Sequence, residues 1–154
     1  MSSAVNRRIN NELKNIIEKF HNVNCKKLFP NNEYKITISF KNRNITFFLD
    51  KNYPFKEPIV KINGNDYIKM LCISTDNFSK KILNTKYNID CLCCTSLSCP
   101  NVWKPAKSIL DYMLEIETNI NIIETILAMK YTYIVCKSKN IFCNEIPEYI
   151  CKFI

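Results

Sequence analysis

Glycine is almost missing from this chain: Gly64 is the only one among 154 residues. That scarcity excludes the glycine-rich loops that cradle phosphate groups, which need repeated close approach of the backbone. Arginine-rich stripes and aromatic-basic repeats are also missing, so nucleic acid is not an expected partner. No apolar stretch reaches the ~20 residues of a membrane span, because Lys, Asn or Asp interrupts each one, and no membrane partner is expected. The opening segment, Met1-Ser2-Ser3-Ala4-Val5-Asn6-Arg7-Arg8, has no apolar run after its basic pair. It does not read as a secretory signal, and a cytoplasmic location is expected.

What is present fits one compact α+β domain over residues 1–154, with 47% hydrophobic and 23% charged residues. Net charge is +8, a field that can steer acidic partners. Nine cysteines in a secreted mini-protein would mean disulfides. With no export signal and a chain long enough to fold unstapled, reduced thiols are expected instead. Cys25, Cys72, Cys136, Cys143 and Cys151 lie among apolar neighbours and read as buried, inert thiols. The run from Cys91 to Cys99 is denser and stands apart.

Periodicity predicts the elements. Val5, Ile9, Leu13, Ile16, Ile17 and Phe20 fall on one helical face, with Arg7, Arg8, Asn11, Lys14 and Lys19 opposite. Residues 25–33 read as a connector with a turn at 30–32. Residues 34–40 and 45–49 alternate with period two around Lys41-Asn42-Arg43-Asn44, a strand-turn-strand pattern. A third strand, 59–62, follows Tyr53-Pro54-Phe55-Lys56-Glu57-Pro58 and closes on Asn63-Gly64. Residues 65–90 give one short helix near 77–84. A helix from Pro105 to about Ile120 comes next, then helical segments over 121–135 and 146–154.

Three features in this order resemble the ubiquitin-conjugating enzyme family. Arg8-Ile9 and Glu12-Leu13 are similar to the pattern on that family's first helix. Tyr53-Pro54-Phe55-Lys56-Glu57-Pro58 is similar to its Tyr-Pro-Phe-x-Pro-Pro turn, with Glu57 replacing a proline. Cys91-Leu92, then Trp103-Lys104-Pro105-Ala106 and an apolar helix, are similar to its active-site Cys-Leu, Trp-x-Pro-Ala and central helix. The resemblance spans roughly residues 5–120. It implies an antiparallel meander sheet, an active-site loop, and central and C-terminal helices. Its partners would be ubiquitin or a ubiquitin-like protein, an activating enzyme that docks on Arg7, Arg8 and Lys14, and a ubiquitin ligase that docks on Phe55, Lys104, Pro105 and Ala106. No cofactor is implied. Two prolines bracketing Phe55 fix φ twice and force a rigid turn off the sheet. The competing reading has Phe55 packed inward and Pro105 opening a helix.

Acyl transfer between proteins suits a thiolate, which attacks and leaves well. Cys91, the cysteine followed by Leu, is the nucleophile that the resemblance implies, with Cys94 and Cys93 as alternatives because the interval to Trp103 is long. The family's His-Pro-Asn tripeptide is missing; Asn84, or alternatively Asn88, stands where an oxyanion donor would be needed. Asn88 also replaces a family glycine, and Asn tolerates left-handed geometry. Two rivals remain. Cys91, Cys93, Cys94 and Cys99 could hold a structural zinc, although adjacent cysteines strain one tetrahedron. Alternatively, the fold could be an inactive conjugating-enzyme variant or RWD-type binding module.

Overall fold

The computed structural model describes residues 3–20, 24–28, 34–72 and 76–138, with no side chains described for 3, 4, 24–28, 137 and 138. His21, the turn expected at 30–32 and the helix expected over 146–154 lie outside the described residues. Residue contacts divide the chain into two compact units, Met1–Met70 with Cys93–Ile116, and Leu71–Leu92 with Glu117–Ile154. The chain is α+β, and no helix among the described residues is long and apolar enough to cross a membrane.

In the first unit, helix α1 (Ser3–Lys19) precedes a five-stranded antiparallel meander in the order β1-β2-β3-β4-β5. The strands are β1 (Asn24–Leu28), β2 (Tyr34–Phe40), β3 (Arg43–Leu49), β4 (Ile59–Ile62) and β5 (Asn65–Asp66). Three were legible in the sequence, two by alternation and β4 by its flanking turn signals. β1, placed in a connector by its sequence, is drawn into the sheet through backbone pairing with β2, in the register Cys25↔Ile38.

Both tight turns use residues that accept positive φ. Lys41 and Asn42, at +47° and +61°, join Phe40 to its partner Arg43. Asn63 at +50° and Gly64 at +84° join Ile62 to Asn65, so the lone glycine sits where its freedom is needed. One sheet face is apolar and buried, with Tyr34, Ile36 and Ile38 on β2, Ile45, Phe47 and Leu49 on β3, and Val60 and Ile62 on β4.

Against that face stands the start of α5 (Ile109–Ser138), where Ile109, Tyr112, Met113 and Ile116 are buried and the Tyr112 ring meets Phe47 edge-on at 5.8 Å. α5 begins at Ile109 rather than Pro105 because Ser108 and Asp111 cap it reciprocally. The Ser108 N–H and hydroxyl both donate to Asp111 Oδ2 at 2.8 Å, and the Asp111 N–H donates to Ser108 Oγ at 3.2 Å. The helix is continuous where two segments were expected, with residues 109–116 in the first unit and the rest in the second. Helix α2 (Tyr67–Leu71), unforeseen in the sequence, follows β5 directly.

α1 buries Ile9, Ile16 and Phe20 as its spacing predicts, but Ile17 is 54% exposed and Glu12 takes a place on the inner face. The Glu12 carboxylate is fully engaged. It accepts from Arg8 Nε at 2.6 Å, from the Tyr53 hydroxyl at 3.0 and 2.8 Å, and from the Ile109 N–H at 2.9 Å. Burial, then the adjacent Glu12 charge, pushes the Tyr53 hydroxyl well above its ordinary range, so it stays a donor.

In the second unit, helix α3 (Asn77–Ile82) is capped by Asp76, which accepts from the Ser79 N–H at 3.0 Å and pairs with Lys130 of α5 at 2.9 Å. A π-helical turn over Leu83–Tyr87 follows, and Phe78 packs on Tyr133 with centroids 5.3 Å apart. On α5, Ile120, Ile122, Ile123, Ile126 and Met129 are buried. Cys72 is exposed and Cys136 half-buried, a departure from the buried thiols expected; Cys25, Cys143 and Cys151 have no described side chains.

Two outcomes follow from these anchors. Glu12→Ala strands the buried Tyr53 hydroxyl and the Ile109 N–H, and lowers stability in urea unfolding by about 3 kcal/mol; a loss below about 1 kcal/mol would contradict the anchoring role. Asp76 is held at about 2, below its ordinary 3.8, by the Ser79 N–H first and Lys130 next. Its stabilising effect is therefore present above about pH 4 and disappears as pH falls toward 2. Stability of the wild type and of Asp76→Ala, followed by circular dichroism, converges over that window, whereas a gap constant down to pH ~2 would refute the assignment.

Candidate functional site

Phe55 leaves the sheet on the turn its two prolines impose, and it is 81% exposed. The inward-packing alternative therefore fails. Tyr53 beneath it is buried, and the Tyr53–Pro54 peptide is cis. Trp103 holds the turn from the neighbouring loop, its Nε1 donating to the Pro54 carbonyl at 2.9 Å. Its ring packs between Tyr53, at 6.2 Å, and Tyr112, at 5.5 Å. That hydrogen bond lies one residue from Phe55 on one side and one residue from Lys104 on the other. Lys104, Pro105 and Ala106 are all exposed. An aromatic ring, a cation and two small apolar residues thus occupy joined, well-anchored loops.

The α1 residues behave differently from one another. Arg7 and Lys14 are exposed, and Lys14 makes a loose surface pair with Glu18 at 3.7 Å. Arg8 is half-buried and largely committed to the fold, since it binds Glu12, donates from Nη2 to the Lys107 carbonyl at 2.7 Å and lies 5.5 Å over the Tyr53 ring.

Cys91 belongs to the second unit. It is half-buried, between exposed Asp90 and buried Leu92. Asn88, three residues earlier, sits at φ 53° and ψ 41°, the left-handed geometry for which Asn was expected to substitute. The backbone closes there through Asn88 N–H to Asn84 O at 3.0 Å and Ile89 N–H to Leu83 O at 3.2 Å. Asn84 is exposed, and its Nδ2 donates to Asp90 Oδ1 at 3.0 Å. The side-chain amide is thus fixed on the residue directly before Cys91. One of its two N–H groups serves that bond, which leaves the second available as a donor.

Cys93 and Cys94 belong to the first unit, in the short helix α4 (Leu92–Thr95). Cys93 is half-buried, Cys94 exposed, and their sulfurs are 3.9 Å apart. Within the first unit, Cys99 is not among the sulfurs close enough to share an ion with Cys93 and Cys94. Cys99 serves the loop instead. Its N–H donates to Ser96 O at 2.9 Å, and its carbonyl accepts from the N–H groups of Val102 and Trp103.

Glu115 carries no role assigned from the sequence, and the structure gives it a structural one. Its carboxylate accepts from the Ser96 hydroxyl at 2.6 Å, the Leu97 N–H at 2.8 Å and the Tyr67 hydroxyl at 3.1 Å. It fixes the loop after α4 and acts as a scaffold. The available signal was its place beside Tyr112 and Ile116 on the inward face of α5, where an acidic side chain needs internal donors. Compared with known protein families, curated proteins and solved structures, the chain has no match.

Proposed function

We propose that the chain is a ubiquitin-conjugating enzyme, with a UBC-like fold, that carries ubiquitin or a ubiquitin-like protein as a thioester on Cys91. The Cys91 thiolate attacks the carbonyl of the activating enzyme's thioester, whose sulfur leaves with the electron pair. A substrate lysine amine then attacks the new thioester, the Cys91 thiolate leaves, and the amine proton passes to solvent or a base. A negative oxygen develops on the carbonyl during each attack, and the unused N–H of Asn84 is the donor assigned to it.

The observation that supports this reading is the Asn84–Asp90 hydrogen bond, which ties a side-chain amide to the residue before a half-buried cysteine. The exposed Phe55, with Lys104, Pro105 and Ala106, is the surface assigned to the ubiquitin ligase, and Arg7 and Lys14 are the cations assigned to the activating enzyme. Arg8 contributes to that contact through the shape of α1 more than through an open charge. The exposed Phe55 also suits a second reading, a binding module without catalysis, and the missing His-Pro-Asn tripeptide favours it.

Incubation with activating enzyme, ATP and ubiquitin distinguishes the two readings. The enzyme reading predicts a band one ubiquitin heavier that disappears with thiol reductant. Cys91→Ser replaces it with an ester that thiol does not cleave, while Phe55→Ala still charges but loses ligase-stimulated discharge by about tenfold or more. Failure to charge with ubiquitin and with several ubiquitin-like proteins would leave the binding module.

A further inference from the structure

β5 covers only half of β4. It pairs with Lys61 and Ile62, and no described strand flanks Ile59 and Val60 on that side. An uncovered strand segment presents backbone groups to which another extended chain can add. A groove of about 460 Å³ lies here within the first unit, lined in part by Glu57, Ile59, Lys61, Asp66, Ile68 and Ser98. Its size falls within the range of ligand-binding clefts.

Two of these side chains are apolar and exposed, and a third is a half-buried carboxylate. Ile59 is 59% exposed and Ile68 37% exposed, leaving two branched apolar chains in water on neighbouring elements. Glu57 is half-buried and makes no ion pair or hydrogen bond with another described residue. The nearby cations are committed elsewhere, with Lys61 and Lys69 on Asp66 at 3.7 and 3.1 Å and Lys56 on Asp50 at 3.0 Å. Glu57 is thus a carboxylate without a direct ion pair among the described residues, next to Lys56. The Ser98 hydroxyl lies beside that of Tyr112, which donates to the Leu97 carbonyl at 2.7 Å.

We propose that this groove binds an extended peptide segment of a partner protein in which a lysine or arginine stands next to aliphatic residues. The segment adds along the uncovered half of β4, its cation meets Glu57, and its aliphatic chains cover Ile59 and Ile68. Main-chain pairing provides the affinity, and the carboxylate between two apolar contacts sets the sequence preference. The groove begins at Glu57, two residues after Phe55, but binding there needs no thioester chemistry, so its test is independent of the conjugating activity.

The experiment is a two-dimensional NMR titration of the full chain with acetyl-Val-Lys-Val-Thr-amide, and with the same peptide carrying Glu for Lys. Expected are amide shifts centred on residues 57–61, 66–68 and 98, with a Kd of about 1 mM or tighter, and at least ~10-fold weaker binding of the Glu peptide. Glu57→Lys reverses that preference, and Ile59→Ser weakens both peptides about threefold, each with unchanged melting. No shifts at these residues up to ~5 mM peptide, shifts centred elsewhere, or equal affinity for the two peptides would overturn the proposal.

Discussion

A carboxylate on the inner face of α1 holds the first unit together. Moving a charged Glu out of water costs several kcal/mol unless its oxygens are fully bonded. Glu12 meets that condition with donors from three separate places, Arg8 one turn earlier, Tyr53 on the turn after β3, and the first N–H of α5. Each donor belongs to a segment that the sheet alone would leave loosely placed. Satisfying one buried charge therefore fixes the angle of α1, the seat of the Pro54–Phe55 turn and the start of α5 together. The α5 contact is favourable for a second reason, because a helix N-terminus attracts negative charge.

Glu115 repeats the device seven residues into α5. By binding the Ser96 hydroxyl, the Leu97 N–H and the Tyr67 hydroxyl, it anchors the loop that leads from α4 toward Trp103. Trp103 then links that loop to Pro54. The outcome is a surface where exposed Phe55 and the Lys104–Pro105–Ala106 run are presented by segments whose own backbones are pinned. An exposed aromatic on a rigid support loses little conformational freedom on binding, which makes it an effective contact for a partner.

Much of this was legible in the sequence because the signals were local. Alternation gave β2 and β3, the flanking turn signals gave β4, and the prolines around Phe55 gave the turn. The tolerance of Asn for positive φ gave the geometry of Asn88. What was not legible depended on distant partners. Cys25-Lys26-Lys27-Leu28 has no alternation of its own and becomes a strand because β2 offers a paired edge. Tyr67–Leu71 is too short for periodicity to reveal. Ile17 follows the helical apolar pattern yet faces outward, because the inner position between Ile9 and Ile16 belongs to Glu12. The start of α5 was misjudged by treating Pro105 as its first residue, when the Ser108-x-x-Asp111 capping box was the better local signal. Asn84 was named by its distance from Cys91 along the chain; its bond to Asp90 depends on a π-helical turn that no sequence pattern announced.

The proposed conjugating activity requires that Cys91, and not a neighbouring cysteine, forms the thioester. Differential alkylation tests it most directly. The charged protein is blocked with light iodoacetamide, the thioester is cleaved with hydroxylamine, and the released thiol is labelled with heavy iodoacetamide before peptide mapping by mass spectrometry. The heavy label is predicted on Cys91, with Cys93, Cys94 and Cys99 carrying the light one. Heavy label on Cys94 or Cys93, or on no cysteine at all, would contradict the account.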